Sequence, residues 1–239
     1  VFSCDYYLYF YKDNIITEEQ TKREIEFLKN YANLDKTLRI LDLACGYGRH
    51  TNKLAALGHL VTGIDINPCF LKHAKKDAKM KGLKVEYINQ DMQEISFSNM
   101  FDRIFLIGIS FGYFDDKGNL ILLKKISRAL KPKGLFCFDL LNRDVLLKYL
   151  YPFSVIEKGD DLVIDQNIFD PLKGYLYIKR TVIIKGKREE FSFSIRIYNL
   201  TETNELLKKA GFKILNIYTD WDGKTSPDGR ILILITEKI

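Results

Sequence analysis

Between residues 38 and 140, strand-length apolar runs alternate with helical stretches. The stretches at 38–43 and 60–64 are short apolar runs, and those at 85–89, 101–107 and 135–140 read as further strands, the pattern of a sheet buried on both faces. The intervening stretches at 49–57, 68–81 and 118–130 read as helices, with Pro68 opening the second and Pro132 and Gly134 closing the third. Short buried strands alternating with helices predict a parallel sheet covered on both sides. Ahead of this rhythm, 17–32 reads as a helix with apolar positions at Ile25, Phe27, Leu28 and Tyr31, Thr17 as its N-cap and acidic residues in its first turn. An aromatic segment, Tyr6, Tyr7, Tyr9, Phe10 and Tyr11, precedes it.

From about 152 to 200 the pattern changes to consecutive strands separated by Gly-Asp-Asp, Asp-Pro-Leu-Lys-Gly and Lys-Gly-Lys turns, an antiparallel meander. A helix at 201–210, stopped by Gly211, and strands at 212–220 and 230–236 close the chain. The last two strands are joined without a helix and should therefore pair antiparallel. The expected fold is α/β, a seven-stranded mostly parallel doubly wound sheet with an antiparallel last strand, plus an inserted antiparallel β subdomain. Its expected parts are an N-terminal segment and helix (1–36), a ligand-binding core (37–150), the β insertion (151–200) and the closing helix and strands (201–239).

The 239 residues are 46% hydrophobic and 28% charged, enough to bury a full core and incompatible with disorder throughout. The opening VFSCDYYLYFYKDN has neither a basic start nor a long apolar stretch, and no run approaches the roughly 18 apolar residues of a spanning helix. A cytoplasmic protein without a membrane partner is expected, with a few residues missing at the start. Cys4, Cys45, Cys69 and Cys137 lie far apart without a CxxC pair, so their spacing points to neither a zinc site nor a disulfide framework, and buried neutral thiols are expected. The net charge of +6 is spread over lysine-rich helix faces, including Lys72, Lys75, Lys76 and Lys79. Solvated helix faces are the plain reading and an RNA-binding surface the alternative. His59 and His73 read as surface histidines and no metal site is expected; Arg49 and His50 should face solvent.

The densest chemistry lies at 40–50, ILDLACGYGRH: a strand, Asp42, then Gly46-Tyr47-Gly48, then a helix. A glycine pair there lets backbone approach a ligand closely, while the helix start offers N–H groups. Asp65 ends the second strand, where a carboxylate can accept both hydroxyls of a ribose. The third glycine of a dinucleotide turn is replaced by Thr51, which disfavours nicotinamide and flavin cofactors. An acidic Asp42 ahead of the turn would repel a pyrophosphate and suits a ligand carrying an ammonium group; the alternative is a carboxylate tied to turn amides.

Asp42-x-x-x-Gly46-x-Gly48, Asp65 and Asp91-Met92 resemble the successive motifs of class I S-adenosylmethionine-dependent methyltransferases. The resemblance runs firmly over 38–140 and more loosely over the closing strands. It implies that the glycine turn, with Ala44 and Cys45, cradles the methionine and ribose, and that Asp65 with Ile66 holds the ribose diol. It also implies that Asp91 and Met92 meet the adenine, and that the end of the fourth strand, at Ile107, faces the methyl donor. S-adenosylmethionine is then the cofactor and S-adenosylhomocysteine the product. The run ISFGYFDD after the fourth strand and the β insertion after the fifth are similar to small-molecule methyltransferases, in which such an insertion covers the acceptor; Ser110, Phe111, Gly112 and Tyr113 should stand at the pocket mouth.

Methyl transfer from a sulfonium is an in-line displacement in which positioning can supply much of the rate. Candidate residues near the expected cleft are Tyr113, Asp139, Asn142, Arg143, Arg196, Tyr198, Trp221 and Arg230. Arg196 and Tyr198 alternate with Ile195 and Ile197 on one strand and share a face, a pocket wall or a solvated sheet surface. Asp139 and Asn142 flank the C-terminal end of the fifth strand, where open α/β sheets bind ligands. Ordinary packing is the alternative for Trp221. No Asn-Pro-Pro-Tyr or Asp-Pro-Pro-Tyr run follows the fourth strand, which removes weight from nucleic-acid substrates. The expected activity is methyl transfer to the N or O of a small molecule; the alternatives are an RNA- or protein-modifying enzyme and a non-catalytic cofactor-binding subunit.

Overall fold

The computed structural model describes residues 3–239; Val1 and Phe2, at the head of the N-terminal segment, lie outside the described residues. The chain forms α1 (Cys4–Tyr11), α2 (Glu18–Tyr31), β1 (Arg39–Leu43), α3 (Arg49–Ala56), β2 (Leu60–Asp65), α4 (Pro68–Met80) and β3 (Val85–Asn89). There follow β4 (Phe101–Leu106), α5 (Asp116–Ala129), β5 (Leu130–Leu141) and α6 (Arg143–Lys148). Four strands come next, β6 (Phe153–Lys158), β7 (Asp161–Asp170), β8 (Tyr175–Ile184) and β9 (Lys187–Arg196), then α7 (Leu200–Lys209), β10 (Phe212–Tyr218) and β11 (Ile231–Lys238).

Seven strands make one sheet in the order β10-β11-β5-β4-β1-β2-β3. β1 to β5 run parallel, and β11 is antiparallel to both β5 and β10. Period-2 alternation divides the buried side chains of this sheet between two cores. Leu41, Leu43, Ile64, Ile104 and Leu106 pack with Leu122, Leu123 and Ile126 of α5 and Leu207 of α7. Ile40, Val61, Phe105 and Cys137 pack on the opposite face with Ile25, Phe27 and Leu28 of α2 and Leu54 of α3. Trp221 belongs to this second core, edge-on to Phe27.

Local chemistry sets the helix starts. Thr17, Asn67 and Asp115 each accept a backbone N–H with the side chain, and Asn199 and Glu202 form a reciprocal capping box. The Asp115 cap starts α5 at Asp116, ahead of the predicted 118. Leu130 already pairs with Phe101, so β5 begins before Pro132 rather than at 135.

The four inserted strands form their own antiparallel sheet, β6-β7-β8-β9. Val163 and Val182 on its inner face pack against Tyr6 and Phe10, so the aromatic N-terminal segment is a helix docked on the insertion. Leu176, Ile178 and Ile195 pack toward Tyr113, Leu141 and Leu146. In the same inner face Arg180 donates two 2.6 Å hydrogen bonds to Asp165. Burial alone would lower the guanidinium pKa; the Asp165 carboxylate more than reverses this and the net shift is upward.

Three expectations are corrected. Cys4 and Cys69 form a disulfide across 65 residues of sequence, with a Cα–Cα distance of 5.9 Å, because the fold brings α1 to the start of α4; Cys45 and Cys137 are the buried thiols expected. His59 is buried beneath the Leu38 amide instead of lying at the surface. Tyr198 falls beyond the end of β9, so it does not alternate with Arg196 on one strand. Among the described residues no helix is long and apolar enough to cross a membrane.

Asp165→Asn should destabilise the fold by about 3 kcal/mol in urea denaturation, because it leaves the buried Arg180 charge half-compensated. A loss below about 0.5 kcal/mol would mark the pair as solvent-screened.

Candidate functional site

The site is built where β1 turns into α3. Backbone φ is positive at Ala44 (50°), Gly46 (55°) and Gly48 (80°), so the chain coils tightly before the helix begins. The two glycines serve different ends. A Cβ on Gly48 would stand 2.7 Å from the Ala74 Cβ and 2.5 Å from the Tyr87 hydroxyl, so this position needs glycine for α3 to lie against α4 and β3. A Cβ on Gly46 would meet nothing within 4 Å: this stretch of backbone faces open space, as a ligand cradle must.

Asp65, at the end of β2, is tied to the turn. Its carboxylate accepts from the Gly46 amide and the Asn67 amide, both at 2.8 Å. Burial raises its pKa and the two amides oppose the rise. Asp42, at the end of β1, is fully buried and accepts from the Thr51 hydroxyl. Burial raises its pKa too, against the lowering influence of His50, Thr51 and Arg49. Thr51, in place of a third glycine, thus gives Asp42 its hydrogen bond.

Glu24 of α2, 1% exposed, lies between the first two residues of α3. Arg49 pairs with it, His50 Nε2 lies 2.6 Å away, and Gln20 donates to its other oxygen at 2.9 Å. Burial alone would raise the Glu24 pKa, but the His50 and Arg49 bonds and charges bring it down to about 2. His50 is buried, and Arg49 is held by its ion pair, which corrects the expectation that both face solvent. Sequence reasoning passed over Glu24, yet a signal was present: it shares a helical face with Thr21, Ile25 and Leu28, a charge inside the buried stripe.

Across the sheet, Gly108 follows β4 exposed, with φ 99° and nothing within 4 Å of a Cβ position. Asp139 of β5 holds this stretch by accepting from the Gly108 and Ile109 amides at 2.8 and 3.0 Å. Burial pushes its pKa up to about 6 despite those two amides. Ile107 is buried just before it. Asp91 caps a single 3-10 turn at 92–94 by accepting from the Gln93 amide, and Met92 packs half-buried against the first core. Ile66, beside Asp65, is largely exposed.

The remaining candidates divide. Phe111 turns inward against Phe138 and Tyr198, and the Gly112 carbonyl accepts from the Arg196 amide, so these two brace the core instead of standing at a mouth; Ser110 stays half-exposed. Arg196 bonds Asp116 and Glu202 and lies 4.4 Å over the Tyr198 ring, while the Tyr198 hydroxyl donates to Asp116. Together they line a crevice of about 10 Å³, room for one water. The amides of Asn142 donate to the Arg230 and Gly229 carbonyls, and Arg143 pairs with Glu202. Tyr113 differs: it packs on the insertion, and its hydroxyl pKa is raised to about 12 by burial, with the neighbouring Tyr7 adding to the rise and the Arg180 charge opposing it. Tyr7 in turn feels Arg49, Arg180 and Asp65 and stands edge-on to Phe70 of α4. The structure therefore brings the turn, Asp65 and Tyr113 close to α1, and engages Asn142, Arg196 and Tyr198 in bracing contacts.

Residues 40–134 match the sequence family described as a methyltransferase domain. YqeM of Bacillus subtilis (strain 168), which carries the provisional name of a methyltransferase, is 28% identical over 200 residues, covering 80% of this chain and 79% of its own. Carboxy-S-adenosyl-L-methionine synthase of Nautilia profundicola is 27% identical over 215 residues, 89% of this chain and 82% of its own. Among solved structures, an S-adenosylmethionine-dependent methyltransferase from Clostridium acetobutylicum ATCC 824 superposes with a TM-score of 0.85 at 20% identity, over 98% of both chains.

Glu24→Gln should cost about 3 kcal/mol of stability at neutral pH by leaving Arg49 and His50 without their shared carboxylate. Because the folded pKa of Glu24 lies below its ordinary 4.5, its contribution is present above that value and is lost as pH falls toward 2. Denaturation at stepped pH should show the gap between parent and variant closing over that window; a constant gap would contradict the assignment.

Proposed function

The chain is a class I, Rossmann-like S-adenosylmethionine-dependent methyltransferase, and from that premise we propose that it methylates an N or O atom of a small-molecule acceptor held between α1, Tyr113 and the inserted sheet. The observation that carries the reading is the Gly46 backbone, open on one side and hydrogen-bonded on the other to Asp65. S-adenosylmethionine supplies a methyl group on a positively charged sulfur, already activated for displacement. The chain's residues have to bind, orient and dry the reactants.

In this reading Asp65, oriented by the Gly46 and Asn67 amides, accepts the ribose hydroxyls. Asp42 and Asp65, two carboxylates kept at the turn despite burial, favour a ligand of net positive charge. Asp91, Met92 and Ile66 border the adenine side, and Ala44, Cys45 and Gly48 complete the cradle. Asp139 is a positioning residue: it fixes the Gly108 and Ile109 amides at the end of β4, where the methyl group would lie. Tyr113 keeps its proton at neutral pH and can donate a hydrogen bond to the acceptor, setting the direction of its lone pair without acting as a base.

A small acceptor fits because the inserted sheet and α1 roof the site with packed aromatic side chains rather than an open basic groove. A steep salt dependence of tRNA binding would favour the RNA-modifying alternative instead. A cytoplasmic setting goes with the same reading.

Calorimetry with S-adenosylhomocysteine should register binding, and Asp65→Ala should weaken it by about 1.5–3 kcal/mol through loss of charge-assisted hydrogen bonds. Unchanged affinity in that variant takes Asp65 out of the site. Once a panel of amines and alcohols has yielded an acceptor, Tyr113→Phe should lower kcat/KM about tenfold with cofactor affinity unaltered, the worth of one hydrogen bond. Full activity in Tyr113→Phe would place the acceptor elsewhere.

A further inference from the structure

Helix α1 is held on two sides by unequal means. On the insertion side Tyr6 and Phe10 are buried against Val163 and Val182, the Tyr9 hydroxyl donates to Asp161 at 2.8 Å, and Lys158 donates to the Tyr9 carbonyl at 2.7 Å. On the side of the large sheet it meets the Tyr7–Phe70 edge contact, with ring centroids 5.3 Å apart, and the Cys4–Cys69 disulfide; just past its end Lys12 lies 5.6 Å over the Tyr47 ring. The two non-covalent contacts are each worth about 1 kcal/mol. The covalent link is the strongest of these three contacts.

The link also lands at the site. Cys69 is four residues beyond Asp65, and its amide donates to the Asn67 side chain, whose own backbone amide donates to Asp65. The bond can be reached: Cys69 is half-exposed, and His73, one helical turn further on, is exposed, with its ring nitrogen within 4.8 Å of both sulfurs. A neighbouring imidazole can donate to a departing thiolate, which speeds exchange. In the cytoplasmic setting proposed above, a disulfide is more often reversible than structural.

We infer that Cys4 and Cys69 are a redox-modification site, a reversible thiol–disulfide pair that governs how firmly α1 is clamped over the donor turn. In the reductive direction one thiolate of a dithiol reductant attacks Cys69 Sγ, the S–S bond breaks, and Cys4 leaves as a thiolate and takes a proton. The second thiolate of the reductant then attacks the mixed disulfide and releases Cys69, which is protonated in turn. Two electrons and two protons pass to the protein, and the reductant ends as its own disulfide. With the bond closed, α1 and the insertion are stapled to α4 and exchange of the bound nucleoside is slow. With it open, α1 remains on the insertion and lifts from the turn.

The inference rests on the proposed donor site, and the test separates the two. The full chain is prepared oxidised, and reduced with dithiothreitol, each then desalted into chelator. Thiols counted in denaturant should rise from two to four on reduction. Release of S-adenosylhomocysteine, followed by stopped flow, should be on the order of tenfold slower from the oxidised chain, and amide exchange over Cys4–Tyr11 should quicken on reduction. Cys4→Ser should release the product at the fast rate under both conditions. Equal release and equal exchange in the two states would overturn the inference, as would four thiols before reduction. Slow release restored to the reduced chain by Zn²⁺ would also overturn it, since the two thiols and His73 would then be a metal site. If neither state binds the product, the donor site fails and the exchange of α1 alone decides the tether.

Discussion

One hydrogen bond, from the Gly46 amide to the Asp65 carboxylate, joins the first two βα units at the place where their strands end. It requires β1 and β2 to be adjacent and in register, which the Asp42↔Gly63 and Leu43↔Ile64 pairs provide. It requires the chain after β1 to enter the left-handed region, which Ala44, Gly46 and Gly48 do. It also requires a carboxylate to stay in a poorly hydrated place, at a cost shared with Asp42 and visible in the raised pKa values of both. A fold with no use for negative charge here would have placed apolar residues at these strand ends.

Much of this was legible in the sequence for a plain reason: buried parallel strands are continuous apolar runs, and a glycine-rich turn between strand and helix has few other physical uses. The alternation at 38–140, the antiparallel insertion and the reversed last strand all follow from periodicity and connection length. The residues proposed to hold the cofactor are local as well, Asp42 to Gly48 within seven residues and Asp65 at the next strand end. The Cys4–Cys69 contact was not legible, because it depends on how a β insertion more than eighty residues further along carries α1 back over the first half of the sheet. His50 was misjudged because its partner Glu24 lies in another helix; the pairing becomes visible only when Glu24 is seen as a charge inside an apolar stripe. Asp165 and Arg180 repeat that lesson in strands: both fall on the inward positions of their alternation, beside the paired Val163 and Val182.

The candidate acceptor residues show a related effect. Gly112, Arg196 and Tyr198 tie the insertion to the segment after β4 and to α5, Asn142 bonds the carbonyls of Gly229 and Arg230 ahead of β11, and Phe111 packs in the core. A subdomain inserted after β5 needs such bracing, and Arg196, at the last position of β9, supplies it through Asp116 and Glu202. Tyr113, by contrast, packs against Leu176, Ile178 and Ile195 of the inserted sheet.

The position of β11 has a consequence for biogenesis. It fills the gap between β5 and β10, pairing Ile231 to Glu237 with Leu141 to Leu135, yet of the seven strands of this sheet it is the last to leave the ribosome. Until it arrives, one edge of β5 has no hydrogen-bonding neighbour, although α6 and the whole inserted sheet have already been synthesised. The roof is thus assembled before the wall beneath it is closed, and a nascent chain paused in that interval exposes an apolar strand edge to chaperones or to another nascent copy.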